Sequence, residues 1–342
     1  PLEPLRFDTV PKSLVVGGGI TGLRAAIGLA DIGIQSVLVE REATLGGWVG
    51  RFGSTFPDDA SGADEVAGLI EQIKSRRDIT LYTGAELTGK SGNFGNYTVE
   101  LTLHRDGGDK TLSVDVGSII VATGFDSYAP DEGEYGYGID GVVTLPEFKK
   151  MVDASAGPIA RNGKPVRSLA YVYCVGSRQE APGNEYCSKF CCGATLHASV
   201  LASKIDPSLR QYHLHRDIRA YAKQELIYEE SRERGSVFMK WDADTPPAVA
   251  KLKDGRLGVT VMDLLTDRME VTLPVDLVVL VTGMVPRENA SLTDILKLPL
   301  GADGFYNEIH PKLRPVETVV DGVLIAAALR GRRRHPSRWR PA

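Results

Sequence analysis

Two sets of residues in this 342-residue chain have types and spacings suited to chemistry: three glycines near the start and four cysteines near the middle. The glycines form Gly17-x-Gly19-x-x-Gly22. Gly17 permits a tight turn, Gly19 lets the backbone approach a pyrophosphate, and Gly22 lets a helix and a strand pack closely. Ile20 and Thr21 open the helix, whose N-terminus faces the phosphate charge. Glu40, 18 residues beyond the last glycine, is placed to accept hydrogen bonds from an adenosine ribose. A glycine-rich turn alone would be weak evidence; strand, loop, helix, strand and acid together specify a dinucleotide site.

The cysteines are Cys174, Cys187, Cys191 and Cys192, spaced C-x12-C-x3-C-C. A disulfide framework would spread its cysteines along the chain, so a reducing, cytoplasmic location with a local metal or redox site is expected. Four thiolates on one loop and one helix start can ligate a [4Fe–4S] cluster, with the helix dipole and Lys189 or Arg178 stabilising anionic sulfur. Three other readings stay open. Structural zinc favours C-x2-C to C-x4-C pairs. A redox dithiol would use Cys187 with Cys191, or the vicinal pair. Buried inert thiols would do no chemistry.

The elements that position these residues read as α/β. Ser13–Val16 is an apolar, β-branched run, Leu23–Ile32 has apolar residues at helical spacing, and Gln35–Val39 supplies a second strand ending at Glu40. A meander is expected from Thr80–Tyr82, Tyr97–His104 and Lys110–Val114, and Ser118–Gly124 reads as a buried strand ending Ala122-Thr123-Gly124. The pattern then repeats: strand Ala170–Tyr173, helix Ala194–Lys204, strand Arg210–Leu214, helix Tyr221–Arg234, a meander, and strand Asp276–Gly283. This is an internal duplication of a Rossmann-like half. Asp321–Ala326 is expected to close the first sheet. The implied order is an FAD-type domain over 1–127, a crossover over 128–166, a degenerate nucleotide-binding domain over 167–285, and a return with a basic tail over 286–342.

Further residues narrow the ligand. Arg41-Glu42-x-x-Leu45-Gly46-Gly47-Trp48 resembles the second phosphate-and-ribityl contact of flavoproteins built from two dinucleotide domains, and Ala122-Thr123-Gly124 resembles their second FAD fingerprint. The resemblance implies FAD, with Gly283 and Ala327 completing the expected contacts. The second half departs from this scheme. Tyr171-Val172-Tyr173 runs into Cys174-Val175-Gly176-Ser177-Arg178, no G-x-G-x-x-G follows, and His215 stands where an acid should end the next strand.

Tyr186-Cys187-Ser188-x-x-Cys191-Cys192, Arg216 to Tyr221, Thr55-Phe56-Pro57 and Thr318-x-x-Asp321-Gly322 together resemble the A-type subunit of heterodisulfide reductase over nearly the whole chain. That resemblance implies a thioredoxin-reductase-like core with FAD, and a [4Fe–4S] cluster ligated by Cys174, Cys187, Cys191 and Cys192. It also implies a homodimer and other polypeptides carrying further redox centres. No repeated C-x2-C-x2-C-x3-C-P run is present, and Ala60 and Ser61 stand where a family cysteine is expected. The compact form is similar to that of the heterodisulfide-reductase-like complex of sulfur oxidisers. The flavin component of a quinone-interacting oxidoreductase complex and a stand-alone NAD(P)H-dependent disulfide reductase are the alternatives.

Bulk properties agree with a globular protein. A net charge of −4 gives no reason to expect nucleic acid, and no apolar run approaches the roughly 20 residues that span a bilayer. Pro1 to Val10 carries no signal-like pattern. The tail Arg332 to Arg340 is the most arginine-rich stretch. Scattered histidines, His197 and His213 among them, are expected in core or surface roles.

Overall fold

The computed structural model describes residues 8–326, so Ala327 and the arginine-rich tail lie outside the described residues. The chain divides into two compact units: one built from residues up to Thr55, Ala60–Asp126 and residues from Pro286 onward, the other from Phe56–Asp59 and Ser127–Val285.

The first unit is organised by a five-stranded parallel sheet in the order Val323–Ile325, Ser118–Val121, Lys12–Val16, Gln35–Glu40, Ile79–Thr83. Strands buried on both faces read as continuous apolar runs, and Leu14 and Val15 are both fully buried. Alternation along Lys12–Val16 sends Val15 toward the helices Ile20–Asp31 and Gly62–Ser75, where it packs with Leu23, Ala26, Leu69 and Ile73. Leu14 and Val16 point the other way, onto the antiparallel meander Ala85–Asn93, Asn96–Leu103 and Lys110–Val116.

One sequence expectation is corrected here. Thr80–Tyr82 is the edge of the parallel sheet, not part of the meander; the first meander strand is Ala85–Asn93. That strand is polar and glycine-bearing, with a register shift between Leu87 and Gly89, which hid its alternation. Helix Gly62–Ser75 starts at Ser61, whose side chain accepts the Asp64 N–H at 3.1 Å.

The second unit repeats the plan. Its five-stranded sheet runs Val237–Lys240, Arg210–His215, Ser168–Val175, Leu277–Thr282, Val142–Thr144, all parallel. A meander of Ala248–Lys251, Leu257–Asp263 and Met269–Val275 covers one face. The edge position taken in the first unit by Val323–Ile325 is taken here by Val142–Thr144. This strand and the capped helix Leu145–Ala154 come from the segment read as a crossover. Three residues between Gly141 and a capping box are too few to show a period. Helix Cys191–Ile205 is buried on most of its surface, so its sequence shows little amphipathic pattern.

Candidate functional site

In the first unit, two adjoining hollows share Gly17, Glu40, Thr123 and Arg287 and so form one groove. One end is lined by Gly17, Gly19, Ile20, Thr21, Gly46, Gly47, Trp48 and the run from Ala122 to Phe125. The other end is lined by Glu40, Arg41, Ala85 to Leu87 and Arg287 to Leu292. This is the C-terminal edge of the parallel strands, where α/β sheets bind ligands.

The glycines explain the groove's floor. Gly17 has φ +112°, and a Cβ there would stand 2.5 Å from the Ala122 carbonyl oxygen. A Cβ on Gly22 would stand 1.8 Å from the Gly17 carbonyl oxygen, so Gly22 shapes the groove from behind rather than lining it. A Cβ on Gly19 would meet nothing within 4 Å. Gly19 is also the N-cap of helix Ile20–Asp31, with no side-chain cap and no acidic residue in the first turn. The first N–H groups of that helix are thus presented to an anion.

Glu40 is buried, and its two carboxylate oxygens accept the Gly18 N–H at 2.5 Å and the Glu42 N–H at 2.8 Å. It clamps the glycine loop to the following turn, while each oxygen keeps a lone pair for a ribose hydroxyl. Gly46 donates its N–H to the Gly18 carbonyl at 2.8 Å, which brings the Gly46-Gly47-Trp48 turn against the loop. Trp48 Nε1 donates to the Phe125 carbonyl at 3.0 Å.

Sequence reasoning missed two stretches of wall, Ala85 to Leu87 and Arg287 to Leu292. Arg287 pairs with Asp126 at 3.1 Å, and Asn289 donates to Thr123 Oγ1 at 3.2 Å. The Arg287-x-Asn289 pair, just after a Thr-Gly strand end, was the available signal. Gly283, expected to contact the cofactor, lines neither hollow: it sits in the second unit, where its Cβ would meet Ser188 Oγ at 2.8 Å and Gly176 O at 3.0 Å. Its bareness serves the cysteine loop.

In the second unit the equivalent strand end is occupied by that loop. The register of Ser168–Val175 shifts between Val172 and Val175, and Cys174 takes φ +67° at this irregularity. A non-glycine residue there costs of order 1–3 kcal/mol and persists only where its surroundings enforce it. Cys191 and Cys192 are the first two residues of helix Cys191–Ile205. The loop between is pinned by Arg178 N–H to Tyr186 O (2.8 Å), Tyr186 Oη to Met284 O (2.9 Å) and Met284 N–H to Ser188 Oγ (2.8 Å). None of the four cysteines is in a disulfide, and Lys189 N–H donates to Cys187 Sγ at 3.4 Å.

The thiols lie within electrostatic range of one another. Burial pushes Cys174 up to about 11, against the opposing pull of Arg178. A hydrogen bond shared by Cys191 and Cys192 raises the first and lowers the second to about 7. Buried neutral thiols with neighbouring arginines are set to lose protons when a cation takes their place. Among the described residues, no group of three or more His, Cys, Asp or Glu side chains is gathered to ligate a single metal ion. Ser177 Oγ and Arg178 Nη1 beside the loop are buried without a hydrogen-bond partner.

His215, at the position matching Glu40, is held down to about 4 by burial, and its Nδ1 has no partner. Arg216 donates to the Arg178 carbonyl at 2.8 Å and lies over the Trp241 ring at 5.8 Å. Thr55-Phe56-Pro57 leads to Asp59, which pairs with His197 at 2.8 Å and Lys204 at 3.2 Å.

Comparison with known proteins follows the same lines. Residues 9–175 match the family described as pyridine nucleotide-disulphide oxidoreductase. The iron-sulfur A-type subunit of a CoB–CoM heterodisulfide reductase of Methanopyrus kandleri is 28% identical over 98% of this chain and 63% of its own length. The A-type subunit of the H2:CoB-CoM heterodisulfide,ferredoxin reductase of Methanothermobacter marburgensis is 30% identical over 97% of this chain and 62% of its own. This chain therefore spans less than two thirds of those relatives. Among solved structures, thioredoxin reductase of T. acidophilum superposes with a TM-score of 0.61 at 14% identity, covering 94% of this chain and 90% of that one. The Lactococcus lactis enzyme gives 0.60 at 16%, covering 94% and 91%. The fold is thus thioredoxin-reductase-like, with two Rossmann-like units.

Proposed function

We propose, from a chain that is a relative of the heterodisulfide reductase A-type subunit over nearly its whole length, that this protein is an oxidoreductase that transfers electrons between FAD and a [4Fe–4S] cluster. The observation that carries the reading is the replacement of the second glycine loop by Cys174, Cys187, Cys191 and Cys192 on an otherwise duplicated fold.

FAD fits the first unit. Gly17, Gly19, Ile20, Thr21 and the uncapped helix start would hold the pyrophosphate, Glu40 and Arg41 the adenosine end, and Gly46, Gly47, Trp48, Ala122, Thr123 and Gly124 the flavin end. A cluster fits the loop by its donor set: four thiols, a helix N-terminus and an orphaned guanidinium N–H. FAD supplies exchange of electrons singly or in pairs, and the cluster supplies one-electron transfer. The chain's part is to hold the phosphates with backbone N–H groups, bury the sulfur site, and surround it with Arg178, Arg216 and Arg219 against its negative charge. No side chain need act as acid or base.

The names of several relatives include "iron-sulfur", which supports the cluster. We place the chain in a cytoplasmic heterodisulfide-reductase-like complex, as a homodimer with further redox subunits, in oxidation of carrier-bound sulfane sulfur. The four cysteines leave no room in this chain for ferredoxin-type inserts. Among the described residues no helix is long and apolar enough to cross a membrane.

Stopped-flow reduction tests the reading. Anaerobic FAD-loaded protein mixed with NADH or NADPH is expected to keep its flavin oxidised, while a low-potential one-electron donor bleaches it. Fast bleaching by NAD(P)H at micromolar concentration would instead make the chain a self-sufficient pyridine nucleotide reductase.

A further inference from the structure

The cysteine loop holds one partly buried cation whose hydrogen bonding is incomplete. Arg178 lies three residues past strand Ser168–Val175 at φ +57°, a left-handed conformation rare for a residue with a side chain. Its N–H donates to Tyr186 O at 2.8 Å, and its carbonyl accepts from Arg216 Nη1 at 2.8 Å, so its backbone is fixed on both sides. The guanidinium is 18% exposed. Nη2 pairs with Asp217 at 2.9 Å, whereas Nη1 is buried and makes no hydrogen bond.

A buried donor left unmade costs about 1–3 kcal/mol, and more when charged. An arginine built into this position, in strained backbone, is therefore matched to an acceptor. The groups it acts on electrostatically are the thiols of Cys174, Cys187 and Cys192. Lys189, the other cation of the loop, is exposed. Asp217 faces outward at 46% exposure, lies 3.9 Å from Lys240 Nζ, and offers its backbone carbonyl to Cys192 Sγ at 3.9 Å. A solvent-facing carboxylate, a partly buried guanidinium and the sulfur site thus stand in sequence.

We propose that Arg178 donates through Nη1 to the sulfur face of the cluster held by the four cysteines and sets its reduction potential. Asp217 is the positioning residue that orients the guanidinium and offsets its charge. The inference rests on the cluster reading above. Reduction adds one electron, and so one negative charge, to the sulfur cage. A cation that donates to sulfur favours the reduced form, and a carboxylate behind that cation opposes it. Hydrogen bonds to sulfur and local net charge are established levers on such potentials. The two residues therefore act with opposite sign.

The test is an EPR-monitored redox titration of full-length, anaerobically reconstituted protein as wild type, R178Q, R178K and D217N, each analysed first for iron. R178Q is expected to lower the midpoint by a tenfold or larger change in the reduction equilibrium, about 59 mV for a one-electron couple. R178K should fall between wild type and R178Q, and D217N should raise the midpoint. A purely structural role for the pair predicts loss of iron or shifts of the same sign. Asp217 is exposed, so D217N keeps the test open even where R178Q fails to fold. Iron-loaded variants with coincident midpoints, or with both charge changes moving the potential the same way, overturn the inference. Wild type without iron overturns the cluster reading itself, and the iron analysis separates that outcome from the first.

Discussion

The carbonyl oxygen of Gly17 lies 1.8 Å from the point where a Cβ on Gly22 would stand. Strand end and first helical turn therefore meet backbone to backbone, and any side chain at position 22 must push them apart. Gly19 is the opposite case, with open space around its would-be Cβ.

These two glycines predict separable failures. Gly22→Ala should destabilise the first unit by about 1–3 kcal/mol or more, the usual range for forced overpacking, and lose FAD as well. Gly19→Ala should leave the melting temperature of the FAD-free protein nearly unchanged while weakening FAD binding at least tenfold, because its methyl occupies the phosphate approach. Thermal melts with and without FAD, with flavin retention on gel filtration, check both. Equal losses of stability in the two variants would contradict the assignment.

Glu40→Gln tests the clamp. The amide keeps one acceptor for either the Gly18 or the Glu42 N–H and turns an NH2 toward the other. The loss is expected at about 1–3 kcal/mol, seen both as lower stability and as weaker FAD binding. A fall in FAD affinity with unaltered stability of the FAD-free protein would mean the carboxylate serves the ribose alone.

The second unit should lose stability in acid through His213. Burial, helped by the positive potential of His215, holds its pKa down to about 3, against 6.5 for the unfolded chain. It is wedged between Tyr171 and Phe238 and hydrogen-bonded to Tyr173 and Ser199. A depressed histidine is neutral when folded, so the unfolded state takes the proton first as pH falls. The stabilisation is fully present above about pH 6.5 and is eroded as pH drops toward 3, at up to about 1.4 kcal/mol per pH unit. His215 adds to the same trend. Denaturant midpoints between pH 4 and 7 should slope less steeply in H213Q than in wild type; parallel slopes would rule this histidine out as a source.

Single Cys→Ser changes at positions 174, 187, 191 and 192 should each lower iron and acid-labile sulfide while leaving FAD in place, because the two sites belong to different units. A variant with full iron would remove that cysteine from the ligand set.

Legibility of the sequence followed locality. Gly17, Gly19, Gly22 and Glu40 sit in one short βαβ stretch, where spacing and residue type speak together. Arg287 to Leu292 and Ala85 to Leu87 reach the same groove from segments distant in sequence, and the Arg287-x-Asn289 pair after a Thr-Gly strand end is the one mark they carry. Val142–Thr144 is a strand only because Leu277–Thr282 offers it an edge. The cysteine spacing was plain, but the strand irregularity and left-handed backbone at Cys174 depend on tertiary packing. Gly283, at a Thr-Gly strand end that echoes the first unit, packs against Ser188 and the cysteine loop.

The central claim is that cysteines took over the second nucleotide cradle to hold an iron–sulfur cluster. Iron and acid-labile sulfide counted per FAD, in protein purified and reconstituted without oxygen, test it most directly. The account predicts about four of each. Protein with full FAD, less than about one iron per chain and all its thiols titratable would contradict it.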